Sequence, residues 1–310
     1  MQACRKVLPG GRWHFQHGPI DLLIEAQGQP EVVAWAHEKA WCRFSGVLQE
    51  LVDELPLLRT PMGLRDTCTL RGGVARRMWA ACAPFRPAFV TPMAAVAGAV
   101  AQEILQYYAH AGIDRAWVNN GGDIALHLAP GQQATVGVLA DVAALEFSAL
   151  HPGALVPDGQ IRIASAMPVR GLATSGWRGR SQSLGIADSV TVLARTAAQA
   201  DAAATMVANA VNLPDARIHR MPACQVRDDS DLGTLAVTVD VPRLPPQQVR
   251  TALHHGLRKA QQLQSEGHVW FALLTCQGQH VATPVPRRVP AVAGQTEISI
   301  LEPVSGSVFA

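Results

Sequence analysis

The sequence predicts an α+β fold of antiparallel sheets with packed helices, and three observations favour this class. Short strand-like segments follow one another across tight turns, as at 17–18 and 277–278. Helical patterns lie between them without strict alternation, which argues against a doubly wound parallel sheet. The alanine-rich stretch from Ala197 to Val211 is typical of a helix that is packed closely on all faces but one.

The composition describes a chain that can bury a substantial core. Of 310 residues, 48% are hydrophobic and 16% are charged, and the formal net charge is +2. So small a charge does not predict nucleic acid or a membrane surface as a partner. The six cysteines form no CxxC pair, which predicts neither a zinc site nor a disulfide framework. We therefore expect a cytoplasmic protein without signal peptide or transmembrane segment.

The first third of the chain predicts a hairpin followed by helices. Segments 11–16 and 19–26 are apolar or alternating, which indicates two strands joined by a turn. From Pro30 to Leu58 apolar residues recur with helical spacing, and a short helix is expected at 74–83. We interpret the arginines of this region as part of a solvated surface and not as an anion site.

The stretch TPMAAVAGAVAQEIL predicts a helix whose start is able to meet an anion. Thr91 is typical of an N-cap and Pro92 of the first helical position. The small side chains that follow would let another backbone or a flat ligand approach, and free N–H groups at a helix start attract anions. Plain helix packing explains the pattern equally well, and both interpretations stay open.

A turn rich in asparagine and glycine follows, between strands expected at 115–118 and 124–128. It reads Asn119-Asn120-Gly121-Gly122-Asp123. Such residues permit the backbone angles of a hairpin turn. A plain hairpin needs only Asn-Gly, however, and the additional polar groups favour a binding turn.

The central region predicts strands at 134–140, 160–166 and 189–193, with a connection of low regularity from Asp141 to Gly159. Before the last strand lies a Gly-rich basic loop with hydroxyls and two fixed positive charges, which suit a phosphate or pyrophosphate group. Its candidate residues are Thr174, Ser175, Gly176, Arg178, Arg180 and Ser183. The loop is less specific than a Walker loop, because neither GxxxxGK[ST] nor GxGxxG occurs in the chain.

The last third predicts a helix capped by Thr196 and an irregular segment from Pro214 to Leu232. The acidic residues Asp228, Asp229 and Asp231 in that segment indicate a solvated loop. A strand at 234–239, a helix at 246–264 and a strand pair at 268–276 and 279–282 are expected next. We interpret residues 1–283 as a single domain and residues 284–310 as an extended tail able to lie on a partner subunit.

The helix at 197–211 carries a polar stripe. Asp201, Thr205 and Asn209 recur every fourth residue, so they stack on one face with neighbouring Cβ atoms about 5–6 Å apart. A carboxylate, a hydroxyl and an amide are hard oxygen ligands that suit Mg²⁺ or Ca²⁺ better than zinc. Alternatively, these groups only cap or hydrogen-bond the nearby backbone.

Several of these segments together resemble a known superfamily. VNNGGDIAL, LATSG, SVTVLA and AQADAAATMVANAV occur in the order in which the ApbE-like flavin transferases place their NxGGDI, TSG, core-strand and AD-x-x-x-T motifs. HGPIDLLI, TPMAAVAGAVAQEIL and RSQSLGIADSVTV are more similar to the uncharacterised ApbE-like branch of that superfamily. The closer resemblance runs from the first strand to Asn212.

The resemblance implies a T-fold type of architecture, FAD binding and a homodimer. Characterised members cleave FAD with Mg²⁺ and attach FMN through a phosphoester to a threonine of an acceptor protein. The matching metal ligands would be Asp201 and Thr205. Bordering the nucleotide would be Asn119, Asn120, Gly121, Gly122 and Asp123. Near the phosphates or the flavin would lie Thr174, Ser175 and Gly176.

The chain also departs from the transferase pattern. Where those enzymes carry a lysine and an aspartate in a K-G-x-x-x-D motif, it has Ala97, Gly98 and Gln102. The segment that contains their histidine is shortened here to SQSLGIAD. Three hypotheses remain: an FMN transferase with Asp188 or Asp123 as the base, a different enzyme for a small anionic or heterocyclic metabolite, and a non-catalytic flavin- or nucleotide-binding protein.

Overall fold

A nine-stranded antiparallel sheet forms the centre of the fold in the computed structural model, which describes residues 2–138, 159–179 and 181–286. Its strand order is β1-β2-β3-β4-β5-β8-β9-β12-β13, while β6 pairs with β7 and β10 with β11. The strands are β1 (Cys4–Val7), β2 (Trp13–His17), β3 (Ile20–Gly28), β4 (Ile113–Asn120), β5 (Asp123–Leu128), β6 (Gln133–Val138), β7 (Gly159–Ala164), β8 (Gly171–Ser175), β9 (Ser189–Ala194), β10 (His219–Pro222), β11 (Ala236–Asp240), β12 (Phe271–Cys276) and β13 (Gln279–Ala282). Helices packed on antiparallel sheets confirm the predicted mixture of α and β structure.

The helices differ from the prediction mainly at their ends. They are α1 (Pro30–Asp53), α2 (Leu55–Leu58), α3 (Gly73–Cys82), α4 (Val96–Leu105), α5 (Ala197–Ala210), α6 (Ala223–Val226) and α7 (Pro246–Ser265). The helix expected from Pro30 to Leu58 is interrupted at Glu54, because Pro56 lacks the N–H group that would continue the hydrogen-bond ladder. Among the described helices, none has the length and apolar character needed to cross a membrane.

The two faces of the sheet are covered differently. Helices α1, α4, α5 and α7 contact successive strands, and the side chains of Ala173, Val192 and Leu274 belong to the core cluster that includes these helices. Their sequence neighbours Leu172 and Leu193 belong to a second cluster, together with residues of the β6–β7 hairpin. Because side chains alternate along a strand, the helices cover one face and the hairpin covers part of the other.

Glycines let α5 lie close to its neighbours. A Cβ atom on Gly98 of α4 would lie 2.3 Å from the carbonyl oxygen of Ala197, and one on Gly171 of β8 would lie 2.2 Å from the Ala197 nitrogen. Side chains at these two positions would therefore collide with the first turn of α5. The predicted cap is present, since the Thr196 hydroxyl accepts a hydrogen bond from the Gln199 N–H at 3.3 Å.

Three predictions from the pattern need correction. A 3-10 turn, Pro92–Ala95, precedes α4, and Thr91 makes no side-chain cap there. The segment predicted as irregular, Pro214 to Leu232, contains β10 and α6. The strand β1 at the amino terminus was not expected. Most of the connection from Asp141 to Gly159, and the tail from residue 287 onward, lie outside the described residues.

Candidate metal and nucleotide site

Asp201 joins α5 to the start of α4. Its Oδ2 atom accepts a hydrogen bond from the Gly98 N–H at 2.9 Å, and its carboxylate also accepts from the Ala97 N–H. Ala97 and Gly98 are the second and third residues of α4, whose N–H groups have no acceptor within the helix. An anion at this helix start was one of the two interpretations that the sequence left open, and the chain's own Asp201 carboxylate occupies that position.

The surroundings of Asp201 act on its pKa in opposite directions. Burial raises the pKa of this carboxyl to about 7, although the N–H groups of Gly98 and Ala97 act in the opposite direction. A cation beside the carboxylate would favour its charged form. Asp201 caps α4, and its role as a metal ligand stays a prediction.

The other two members of the polar stripe have different surroundings. Thr205 is half-buried, and its hydroxyl has no hydrogen-bond partner within the described part of the chain. Asn209 instead accepts hydrogen bonds through Oδ1 from Ser183 Oγ at 3.1 Å and from the Leu184 N–H at 2.9 Å. Asn209 thus holds a loop, as the alternative interpretation of the stripe predicted, whereas Thr205 has an oxygen available for a ligand.

The asparagine- and glycine-rich segment forms the two-residue turn between β4 and β5. Gly121 and Gly122 have φ of 65° and 108°, a backbone conformation that favours glycine. Asn119 Oδ1 accepts from the Gly122 N–H at 2.8 Å and stabilises this turn. The buried Asn120 side chain donates to the Ala97 carbonyl at 3.1 Å, so the turn is hydrogen-bonded to the same first turn of α4 that Asp201 caps.

The two candidate bases lie in different surroundings. Asp123 begins β5 directly after the turn and is 9% exposed. Asp188 accepts from Trp177 Nε1 at 3.3 Å and from the N–H of Gln277, which has φ of 45° in the turn between β12 and β13. Asp188 therefore holds a hairpin. A role as the catalytic base stays a prediction for both carboxylates.

The Gly-rich basic loop does not gather all its candidate groups at one place. Thr174 shares a hydrogen bond with Thr191 across β8 and β9 at 3.0 Å, and it lies on the face of Leu172, away from α5. Ser175 is buried on the helix face.

The remaining candidates of this loop have mainly structural contacts. A Cβ atom on Gly176 would lie 2.3 Å from the Asp188 carbonyl oxygen, and the Arg178 guanidinium lies 4.8 Å from the centre of the Trp177 ring. Ser183 is 2% exposed and contacts Asn209. Arg180 lies outside the described residues.

Sequence analysis missed one carboxylate near this site. The Thr91 hydroxyl donates to Asp231, which places Asp231 beside the 3-10 turn that precedes α4. Burial raises the pKa of the Cys82 thiol well above its usual value, and the charges of Asp201 and Asp231 add to this effect. Asp228 and Asp229 are exposed, as the interpretation of a solvated loop predicts, whereas Asp231 is half-buried and hydrogen-bonded. No local signal could have found it, because Thr91 and Asp231 are 140 residues apart.

A metal ion at this site would need ligands beyond the acidic side chains. Within the described ranges, no group of three or more His, Cys, Asp or Glu is arranged to hold a metal ion. Mg²⁺ is commonly held by one or two carboxylates, with waters and substrate phosphates completing its shell. Asp201 and the available hydroxyl of Thr205 fit that pattern.

Comparison with known proteins supports the resemblance seen in the motifs. A family model described as AbpE bacteria matches residues 5–282, which is most of the chain. The chain belongs to this family. The matched range includes the candidate residues from Asn119 to Asp231.

Several relatives are named only as UPF0280 proteins. The chain is 37% identical over 169 residues to one from Methanothrix thermoacetophila, covering 54% of this chain and 63% of the relative. It is 42% identical over 131 residues to one from Methanothermobacter thermautotrophicus, covering 42% of this chain and 46% of the relative. A third, from Archaeoglobus fulgidus, is 36% identical over 140 residues, covering 45% and 51%. The matched segments thus span about half to less than two thirds of these relatives.

Proposed function

We propose that this AbpE bacteria protein has a T-fold type of architecture and binds FAD together with Mg²⁺ where α5, α4 and the β4–β5 turn meet. We further propose that it transfers FMN from FAD to a hydroxyl group of an acceptor protein. One observation carries the proposal. Asp201 and Asn120 come from the two motifs that the resemblance assigns to the metal and to the nucleotide. Asp201 accepts a hydrogen bond from the Gly98 N–H, and Asn120 donates one to the Ala97 carbonyl, so both contact the first turn of α4.

The residues of the site have distinct roles in this proposal. When bound, Mg²⁺ would neutralise the pyrophosphate and stabilise charge during phosphoryl transfer. Asp201 and Thr205 hold it, and the backbone of the turn at 119–122 borders the nucleotide. Asp123 is a better candidate than Asp188 for the base that accepts the proton of the acceptor hydroxyl. It directly follows the turn, whereas Asp188 accepts a hydrogen bond from the Gln277 N–H in the turn between β12 and β13.

One contact favours a second candidate function. Gln102, at the position of the aspartate in the transferase motif, accepts from the Ala198 N–H at 3.4 Å at the start of α5. An amide used in this way cannot supply the charge of an aspartate. A different reaction on the same scaffold, with a small anionic or heterocyclic metabolite, therefore remains the alternative, as does flavin binding without turnover.

Product analysis separates these functions. Purified protein is incubated with FAD, MgCl₂ and candidate acceptor proteins, and both AMP release and an FMN-sized mass increase of the acceptor are measured. The transferase predicts both products, with losses of about 100-fold or more in Asp201→Asn and Thr205→Val. Asp114→Asn is the matched control, because Asp114 is an exposed carboxylate of β4. This variant should retain activity.

Binding without either product would refute the transferase and leave flavin binding. Absence of FAD binding, measured by flavin fluorescence with and without MgCl₂, would refute the proposal as a whole. In that case a thermal-shift screen of small acids and heterocycles tests the alternative, since a specific ligand stabilises the folded state in proportion to its occupancy.

A further inference from the structure

A separate hollow lies beyond the carboxyl end of α5, away from the start of α4. Its volume is about 420 Å³, and it is lined by Asn212, Leu213, Pro214 and Arg220. The first three residues follow α5 directly, and Arg220 projects from β10. Cavities of about 300–1,000 Å³ are typical of sites for small molecules. The volume of this hollow lies in that range, and the hollow is an open depression on the protein surface.

Arg220 brings an unbalanced positive charge to this hollow. Its guanidinium is half-buried, and burial lowers its pKa. In the part of the chain that the structure describes, no carboxylate lies within ion-pair distance of Arg220. The charge of Asp215 raises the pKa of Arg220, but this carboxylate is paired with Arg217, whose Nε and Nη2 atoms donate to it at 3.0 Å and 2.6 Å. Arg220 is only partly buried, so an anion in the hollow would pair with it mainly through charge-assisted hydrogen bonds.

The guanidinium of Arg220 is also held in position. Its Nη2 atom donates to Asn212 Oδ1 at 2.6 Å, and Asn212 is fixed because its Nδ2 atom donates to the Leu184 carbonyl at 2.7 Å. The Asn212 contact is the one hydrogen bond that this guanidinium makes to the described residues. Its remaining N–H groups are available to a ligand, and a planar guanidinium matches a carboxylate through two parallel hydrogen bonds.

We propose that this hollow binds a small carboxylic acid with an apolar body. Arg220 receives the carboxylate, and Leu213 and Pro214 contact the apolar part. The apolar walls favour such an acid over inorganic phosphate, which has no apolar surface to bury. The proposal does not depend on the flavin chemistry, because none of the residues that line this hollow belongs to the metal and nucleotide site.

The test uses phenylacetate as a probe and compares it with chloride and inorganic phosphate at equal ionic strength. Titration calorimetry of the wild-type protein should show saturable binding of phenylacetate and none of chloride or phosphate. Arg220→Gln should weaken binding by about tenfold or more, since it removes the charge and the paired donors. Arg65→Gln is the control, because Arg65 is an exposed arginine that does not line the hollow, and this variant should leave binding unchanged.

A second variant covers the case in which Arg220→Gln fails to fold. Leu213→Asp places a carboxylate at the hollow itself, so the folded variant should no longer bind phenylacetate. Unchanged binding in either variant would overturn the proposal, as would equal binding of phosphate or the absence of saturable binding in the wild-type protein.

Discussion

Replacing Gly98 by alanine tests the packing that brings α4 and Asp201 together. The new Cβ atom would lie 2.3 Å from the Ala197 carbonyl oxygen and 2.9 Å from the Asp201 Cβ, whereas ordinary contacts are 3.4–4 Å. To relieve the first contact, α4 must move away from α5 by about 1 Å. Such a movement would lengthen the hydrogen bond between Asp201 and the Gly98 N–H, now 2.9 Å, beyond its effective range.

The expected size of this effect follows from three contributions. Overpacking costs about 1–3 kcal/mol, and loss of the helix cap costs about 1 kcal/mol. The better helix propensity of alanine offsets about 1 kcal/mol. We therefore expect the free energy of unfolding to fall by about 1–3 kcal/mol in Gly98→Ala.

Gly46→Ala is the matched control because Gly46 also lies inside a helix, α1, but a Cβ atom added there would meet no other atom within 4 Å. Alanine at this position should raise the free energy of unfolding by up to about 1 kcal/mol. Urea denaturation followed by circular dichroism measures both variants. If Gly98→Ala were as stable as the wild type, or changed stability with the same sign as Gly46→Ala, the packing argument would be refuted.

Three further predictions concern charged and titratable groups. Asp201→Asn keeps an oxygen acceptor for the start of α4 and should change the thermal midpoint less than Asp201→Ala, while both abolish Mg²⁺ binding measured by calorimetry. Burial lowers the pKa of His37 from 6.5 to about 4, so stability should fall by up to about 3 kcal/mol as pH drops from 6.5 to 4, and His37→Gln should remove this loss in acid denaturation curves. Glu103 accepts hydrogen bonds at 2.7 Å from two arginines of α1 and α3, and Glu103→Ala should lower the urea-derived free energy of unfolding by about 2–3 kcal/mol, because Arg77 loses its carboxylate partner and Arg43 keeps only Glu50. A change below about 0.5 kcal/mol in the Glu103 variant, or an unaltered acid transition in the His37 variant, would contradict these expectations.

Features that depend on residues close in sequence could be predicted. Thr196 caps a helix by accepting a hydrogen bond from an N–H three residues away, and the Asn-Gly turn joins strands that are adjacent in the chain. In both cases the partner is fixed by local geometry. The antiparallel arrangement followed from such local signals, because short turns force neighbouring strands into antiparallel pairs.

Features that depend on distant partners could not be predicted. Asp201 caps α4 across 103 residues, so the free helix start seen in the sequence is already occupied by an acid from elsewhere in the chain. Thr91 has the residue type of a local cap, yet its hydroxyl donates to Asp231. Which of several suitable acceptors a hydroxyl meets is decided by tertiary packing, and the pattern of a single segment contains no information about it.

The TSG segment shows a different reason for an incomplete prediction. Thr174 and Ser175 are neighbours in sequence and were grouped as one binding element. Both lie in β8, where successive side chains point to opposite faces of the sheet. The sequence analysis placed both residues in a loop, whereas β8 continues to Ser175 and so separates their side chains.

The central claim is that Asp201 and Thr205 hold a divalent metal beside a nucleotide at the β4–β5 turn. A crystal structure of the protein with FAD and MnCl₂, using the anomalous signal of manganese, tests this claim most directly. The account predicts an anomalous peak about 2.1–2.3 Å from Asp201 and Thr205 oxygens, with the pyrophosphate beside Gly121 and Gly122. Bound FAD with manganese elsewhere, or an Asp201 carboxylate that still only caps α4 at saturating metal, would contradict it.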